Sequence, residues 1–196
     1  ETSLLWMVNE RNRLTAKLYY YDNDRQLPGP VHYYTDETSE TLHDRNAFAQ
    51  ARWLSTLNDN LQLMVNGKFN WTTSDYHIGH PSGGITSNEY WQREAYTSAA
   101  VLYTPLDILS LNYSADYVLN NMNSSLPTSS RPQRHSLLQS ATAKLQTTHL
   151  TVMARGLYSV YLNDNRGTTA ANSPSTSTAT QAETAPDEHN FAPSLS

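Results

Sequence analysis

Apolar and polar residues alternate with a period of two along most of this chain. Leu61, Leu63, Val65, Gly67, Phe69 and Trp71 fall on one side of an eleven-residue run, and Gln62, Met64, Asn66, Lys68 and Asn70 fall on the other. Successive side chains of a strand point to opposite faces, so this spacing predicts a strand with one oily and one polar face. The pattern returns with Leu109, Leu111, Tyr113, Ala115, Tyr117 and Leu119 against Ser110, Asn112, Ser114 and Asp116. Less regular versions cover Leu14 to Tyr21, Ala47 to Leu54, Thr97 to Tyr103, Ser136 to Gln146 and Leu150 to Val160. With Ser3 to Val8 in front, eight strands are expected, a ninth begins near Phe191, and all neighbours are antiparallel.

The links between these segments alternate in length. Short ones fall at Asn9 to Asn12, Asn58 to Asn60, Thr104 to Asp107 and Thr147 to His149. Long ones run from Arg25 to His43, His77 to Tyr90, Asn121 to His135 and Asn163 to Glu188, and residues 164–188 form a low-complexity loop rich in Ser, Thr and Ala. Tight turns at one end and extended loops at the other are the layout of an antiparallel up-and-down transmembrane β-barrel, with short periplasmic turns and long extracellular loops. A soluble ligand-binding barrel or a sandwich would turn the same apolar row into an interior core. Soluble hairpins, however, usually close within about two to five residues at both ends. Four expected connections of a dozen residues or more favour the membrane barrel.

Aromatic placement agrees with this layout. Trp53 and Tyr103 lie near short turns, while Trp71, Trp91 and Tyr117 lie towards the long loops, as two interfacial girdles would require. Aromatic residues also favour strands in general, so the girdle alone decides little.

Composition changes the picture in two places. The 13 Lys and Arg against 18 Asp and Glu, with no basic stripe in any strand, argue against nucleic acid as a partner. No run approaches the roughly 18 apolar residues of a membrane helix, whereas a barrel strand dilutes its hydropathy with a polar row. With no cysteine, neither a disulfide framework nor a thiolate metal site is available. Glu1 to Trp6 shows no secretory signal, so for an exported protein the start is expected to be processed or to lie upstream.

The polar rows carry Lys17, Gln50, Arg52, Asn66, Lys68, Asn112, Asp116 and Lys144. A cation facing lipid at the midplane costs about 2–4 kcal/mol, so these residues are expected to face the lumen. There they would bind a plug domain, line a solute path or simply form a hydrated wall. On the long-loop side Tyr33, Tyr34, His77, His80 and Trp91 are the candidate ligand contacts. His77 and His80 lack further ligands at a zinc-like spacing, so no metal site is expected. The acidic group Asp22, Asp24, Asp36, Glu37 and Glu40 offers oxygen ligands to a loop-bound calcium ion but lacks the EF-hand register. No Gly-x-Ser-x-Gly elbow and no paired carboxylates on one strand face are present, so no enzyme and no cofactor are expected.

Asp22-Asn23-Asp24-Arg25-Gln26-Leu27-Pro28-Gly29-Pro30-Val31 resembles the opening of an extracellular loop in TonB-dependent outer-membrane receptors of the Bacteroidetes type. Leu42-His43-Asp44-Arg45-Asn46-Ala47-Phe48 is similar to the segment by which such receptors return into the barrel, with Gln26 and His43 departing from the usual Gly and Trp. Thr104-Pro105-Leu106-Asp107 and Phe191-Ala192-Pro193-Ser194 add to the likeness. The resemblance implies a barrel of about 22 strands, of which this chain supplies eight or nine, together with a plug domain and TonB box outside these residues. It implies uptake of a scarce small molecule (cobalamin first, then siderophore, haem or glycan) across the outer membrane of a Gram-negative bacterium. A complete eight-stranded structural or adhesive outer-membrane barrel is the structural alternative.

Overall fold

In the computed structural model the described residues are 1–27, 39–79, 85–125, 131–165 and 186–195. They form nine strands: β1 Thr2–Asn9, β2 Asn12–Leu27, β3 Ser39–Asn58, β4 Leu61–Gly79, β5 Ile85–Leu106, β6 Leu109–Ser124, β7 Pro132–Gln146, β8 Thr151–Asn165 and β9 Glu188–Leu195. Each strand pairs antiparallel with the next, giving one up-and-down sheet in the order β1 to β9. The sheet does not close on itself. β8 pairs with β9 rather than with β1, which is not the closure of an eight-stranded barrel.

The tight turns are made by side chains that replace backbone partners. Asn9 Oδ1 accepts from the Arg11 N–H at 2.9 Å, and Asn58 Oδ1 accepts from the Asn60 N–H at 3.0 Å. Both are turns in which asparagine bonds the backbone two residues on. The Thr147 N–H donates to the Leu150 carbonyl at 2.8 Å, closing the β7–β8 link.

At the opposite end the strands run much further than the alternation alone suggests. β4 continues to Gly79 and β5 starts at Ile85, so only residues 80–84 separate them. β6 and β7 are separated by residues 125–131. Two of the four long connections are therefore short, and loop length loses much of its weight against a soluble barrel. The stretch Asp22 to Leu27, read as the start of a loop, belongs to β2, and Leu42 to Phe48 lies well inside β3. Asp164 and Asn165 end β8, so the low-complexity segment begins later than expected. Register shifts occur only beside the turns, at Met7/Asn9, Thr56/Asn58 and Tyr103/Leu106. Between those points the facing of every side chain propagates across the sheet without interruption.

Among the described residues no hydrophobic side chain is buried. The sheet has two open faces instead of a core.

Candidate functional surfaces

Cross-strand register sorts the chain into those two faces. Lys17 stands opposite Gln50, Gln50 opposite Lys68, and Lys68 opposite Tyr96. One row towards the short turns, Thr15, Arg52, Asn66, Ser98 and Asp116 line up in the same way. Asn112 pairs with Thr142 and Ser110 with Lys144, so all eight polar-row residues named from the sequence share one face.

That face is internally paired. Lys17 Nζ lies 2.8 Å from a Glu1 carboxylate oxygen, Lys68 Nζ lies 3.3 Å from Glu94, and the Tyr96 hydroxyl donates to Asp116 at 2.7 Å. Asn66 donates to Ser98 at 2.9 Å. Tyr19 and Phe48 stack at 5.1 Å, and Lys17 and Lys68 each sit just under 6 Å from the Phe48 ring. Exposed ion pairs of this kind contribute little to stability, about 0–1 kcal/mol each. Their chief effect is to define a hydrated, mixed-charge wall.

The opposite face carries an apolar band. Its rows run from Leu61, Tyr103, Leu111 and Ala143, through Trp53, Val65, Ala99 and Ala115, to Tyr20, Ala47 and Trp71. Leu18, Phe69 and Tyr113 are 59%, 49% and 47% exposed, far more open apolar surface than a monomer in water normally presents. Three polar side chains on this face have partners. The Tyr113 hydroxyl donates to Gln139 at 3.2 Å, Tyr117 lies 2.7 Å from His135 Nδ1, and Trp53 donates to Asn12 at 3.3 Å. A polar group facing an apolar medium is costly unless it is hydrogen-bonded, and these three side chains meet that condition. Two cavities open on it. One of about 800 Å³ is floored by Ala141, Ala143, Ala154 and Gly156 between Tyr103 and Phe191. The other, of about 540 Å³, lies among Leu18, Tyr20, Ala47, Ala49, Phe69 and Trp71.

Beyond the Trp71 row the same face turns polar. Asp22, Arg45, Thr73 and Trp91 form the next row, then Asp24, His43, Asp75 and Glu89, then Gln26, Thr41, His77 and Ser87. On β5 to β7 the change comes one row sooner, at Arg93, Asn121 and Gln133. Arg45 bonds Asp75 at 2.8 Å, and His43 Nε2 lies 2.6 Å from Asp22. The Tyr20 hydroxyl, which donates to Asp22, and then the His43 ring hold the Asp22 carboxyl below its ordinary pKa. On the polar face Tyr76 donates to Glu40 at 2.9 Å, and that bond raises the phenol's pKa. Arg45 Nε, Thr73 Oγ1 and Asp75 Oδ1 are covered and have no hydrogen-bond partner. An unmet buried polar group costs about 1–3 kcal/mol.

Of the five residues proposed from the sequence as ligand contacts, His77 and Trp91 lie in the described sheet. Tyr33, Tyr34 and His80 lie outside the described residues. His77 belongs to β4 rather than to a loop, Trp91 belongs to β5, and both lie on the face that carries the apolar band. Of the acidic group proposed for calcium, Asp36 and Glu37 lie outside the described residues, while Glu40 is on the polar face and Asp22 and Asp24 on the other. The described residues contain no grouping of three or more His, Cys, Asp or Glu able to hold a metal ion. The Arg45, Thr73 and Asp75 group was missed because the expected strands begin at Ala47 and end at Trp71, leaving all three outside; extending the Leu61 to Trp71 strand would have placed Thr73 and Asp75 on the face of Trp71. No protein-family model and no curated protein matches the chain.

Proposed function

We propose that this sheet is part of the wall of an outer-membrane β-barrel, and that the barrel is a TonB-dependent receptor importing a scarce nutrient. One observation carries the membrane reading: a single face changes from apolar to polar within one row of residues across β2 to β7. A soluble core gives no reason for that boundary, whereas a bilayer surface does. On β4 the band runs the ten residue steps from Leu61 to Trp71. At about 3.3 Å per residue and a tilt of about 40°, this is roughly 25 Å, the height of a lipid-facing barrel band.

On this reading the apolar face meets lipid, and Lys17, Gln50, Arg52, Asn66, Lys68, Asn112, Asp116 and Lys144 line the lumen. The free edges of β1 and β9 expose unpaired backbone groups, which hydrocarbon does not tolerate, so further strands complete the wall. The mixed-charge lumen face suits contact with a plug domain and passage of a polar solute. Support for the receptor class is the resemblance of the Asp22 to Val31 and Leu42 to Phe48 segments. The solute is of the cobalamin, siderophore, haem or glycan type, and TonB acts through the plug.

Two measurements test this. In bilayers of lipids brominated along their acyl chains, Trp53 fluorescence is expected to be quenched; an unquenched Trp53 removes the membrane reading. Cells producing the protein are expected to accumulate radiolabelled cobalamin and to stop when the proton gradient is collapsed. Accumulation that survives the collapse contradicts TonB coupling.

A further inference from the structure

The larger furrow of the apolar face, about 800 Å³, lies where the sheet passes from β6 to β9. Its floor is made of small residues, Ala141 and Ala143 on β7 opposite Gly156 and Ala154 on β8. Leu111 and Tyr113 on β6 stand along one side, and Pro193 and Leu195 on β9 along the other. Gly156 leaves room for the Phe191 ring, which lies 3.6 Å from where a Cβ would stand. In the next row towards the long connections, Ala115, Gln139, Tyr158 and Phe191 follow one another. Gln139 Oε1 accepts from the Tyr113 hydroxyl, but its Nε2 has no hydrogen-bond partner among the described residues. On the membrane reading, on which this inference rests, Gln139 lies two rows inside Leu119, roughly 10 Å below the far end of the apolar band. Hydrocarbon at that depth offers the amide no acceptor, and an unmet donor there is costly.

A fitting occupant brings both bulk for the furrow and an acceptor for the amide, and the same face of a second copy has both. A two-fold contact must be self-complementary, with hole and knob on one patch. Here the furrow floor adjoins the Leu111 and Tyr113 ridge, and a primary amide both donates and accepts, so two Gln139 side chains can satisfy each other. Tyr103, Leu111, Tyr113, Tyr158, Phe191 and Leu195 are between 37% and 77% exposed. At about 200 Å² for each large side chain they offer roughly 600 Å², and with the floor this approaches the about 800 Å² that each partner of a stable complex buries. Within a bilayer, close packing over small residues and polar contacts drive association, because lipid tails are as apolar as the wall. We infer that two copies pair in the membrane about a two-fold axis beside Gln139, the β6 ridge of each seated in the β7–β8 furrow of the other and the two Gln139 amides bonded reciprocally.

The test measures energy transfer between donor-labelled and acceptor-labelled copies of the protein in vesicles as lipid is added. The dyes are attached through Asp59→Cys in the β3–β4 turn, since the chain has no cysteine of its own. Transfer is expected to persist on dilution and then to fall along a two-copy dissociation curve. Gln139→Leu is expected to weaken the pair about tenfold, the worth of the reciprocal amide bonds. Ala141→Leu, which fills the furrow, is expected to abolish the pair. Ala51→Leu, the same change on the apolar face of β3 and outside the furrow, is expected to leave it intact. Transfer that merely tracks lipid dilution means that the furrow holds lipid, and overturns the pair. Equal loss in Ala141→Leu and Ala51→Leu, or unchanged association in Gln139→Leu, overturns it as well. Failure of the membrane reading is seen separately, as loss of bromolipid quenching at Trp53 in the unmutated protein.

Discussion

On the proposed membrane reading neighbouring residues on one strand face different media, and the contrast is sharpest at Val65 and Asn66. Val65 faces the middle of the apolar band, between Trp53 and Ala99, whereas Asn66 donates to Ser98 on the polar face. Val65→Arg is expected to destabilise the membrane-inserted protein by about 2–4 kcal/mol, the cost of a cation at the bilayer midplane. Asn66→Arg is expected to lose at most about 1 kcal/mol, the worth of one hydrogen bond on a hydrated face. Urea unfolding in bilayers reads both, and equal costs would mean that the two faces see the same medium. At this scale the sequence was easily legible, because a period of two converts residue order directly into facing. Lys17, Lys68 and Asp116 could be assigned to one face without knowing which strand pairs with which.

Along each strand, legibility stops where the apolar band does. From Thr72 to Gly79 on β4 and from Asp22 to Leu27 on β2 polar residues occupy both faces, so the alternation weakens and the expected strands stop short of these stretches. Cross-strand bonds hold them as strand instead: Arg25 to Asp44 at 3.0 Å, Ser74 to Asp44 at 2.7 Å and Tyr76 to Glu40 at 2.9 Å. His77 was misplaced for this reason. Because its bonds to Tyr20 and His43 lower the Asp22 pKa in the folded protein, Asp22 adds stability in full above the unfolded carboxylate's value of about 4. That contribution disappears as pH falls through the lower, folded value. Amide exchange at the loop ends of β2 and β3, corrected for its intrinsic pH dependence, is expected to be steady from pH 7 to 5 and to rise below about pH 4. Asp22→Asn should exchange fast at every pH and abolish the step; a step that persists in Asp22→Asn assigns the effect to another group.

The whole molecule is a sheet with no buried apolar side chain among the described residues, two free edges and one oily face. In water such an arrangement has little to hold it together, since burial of apolar surface is the main favourable term in folding. Unpaired edges also invite association. On the proposed reading its order depends on surroundings that cover the oily face and continue the sheet. Strand count and antiparallel order were readable from the alternating runs, whereas the open edges were expected only from the resemblance, because pairing at an edge depends on partners outside the local pattern. The most direct test of the lipid-facing claim uses the absence of native cysteine. Single cysteines placed in turn from Leu61 to Gly79, on cells producing the protein, are labelled with a water-soluble maleimide that can enter the lumen. Strong labelling at even positions and protection at odd positions are expected up to Trp71, with both classes labelled beyond it. Labelling of odd and even positions alike between Leu61 and Trp71 would contradict a lipid-facing band.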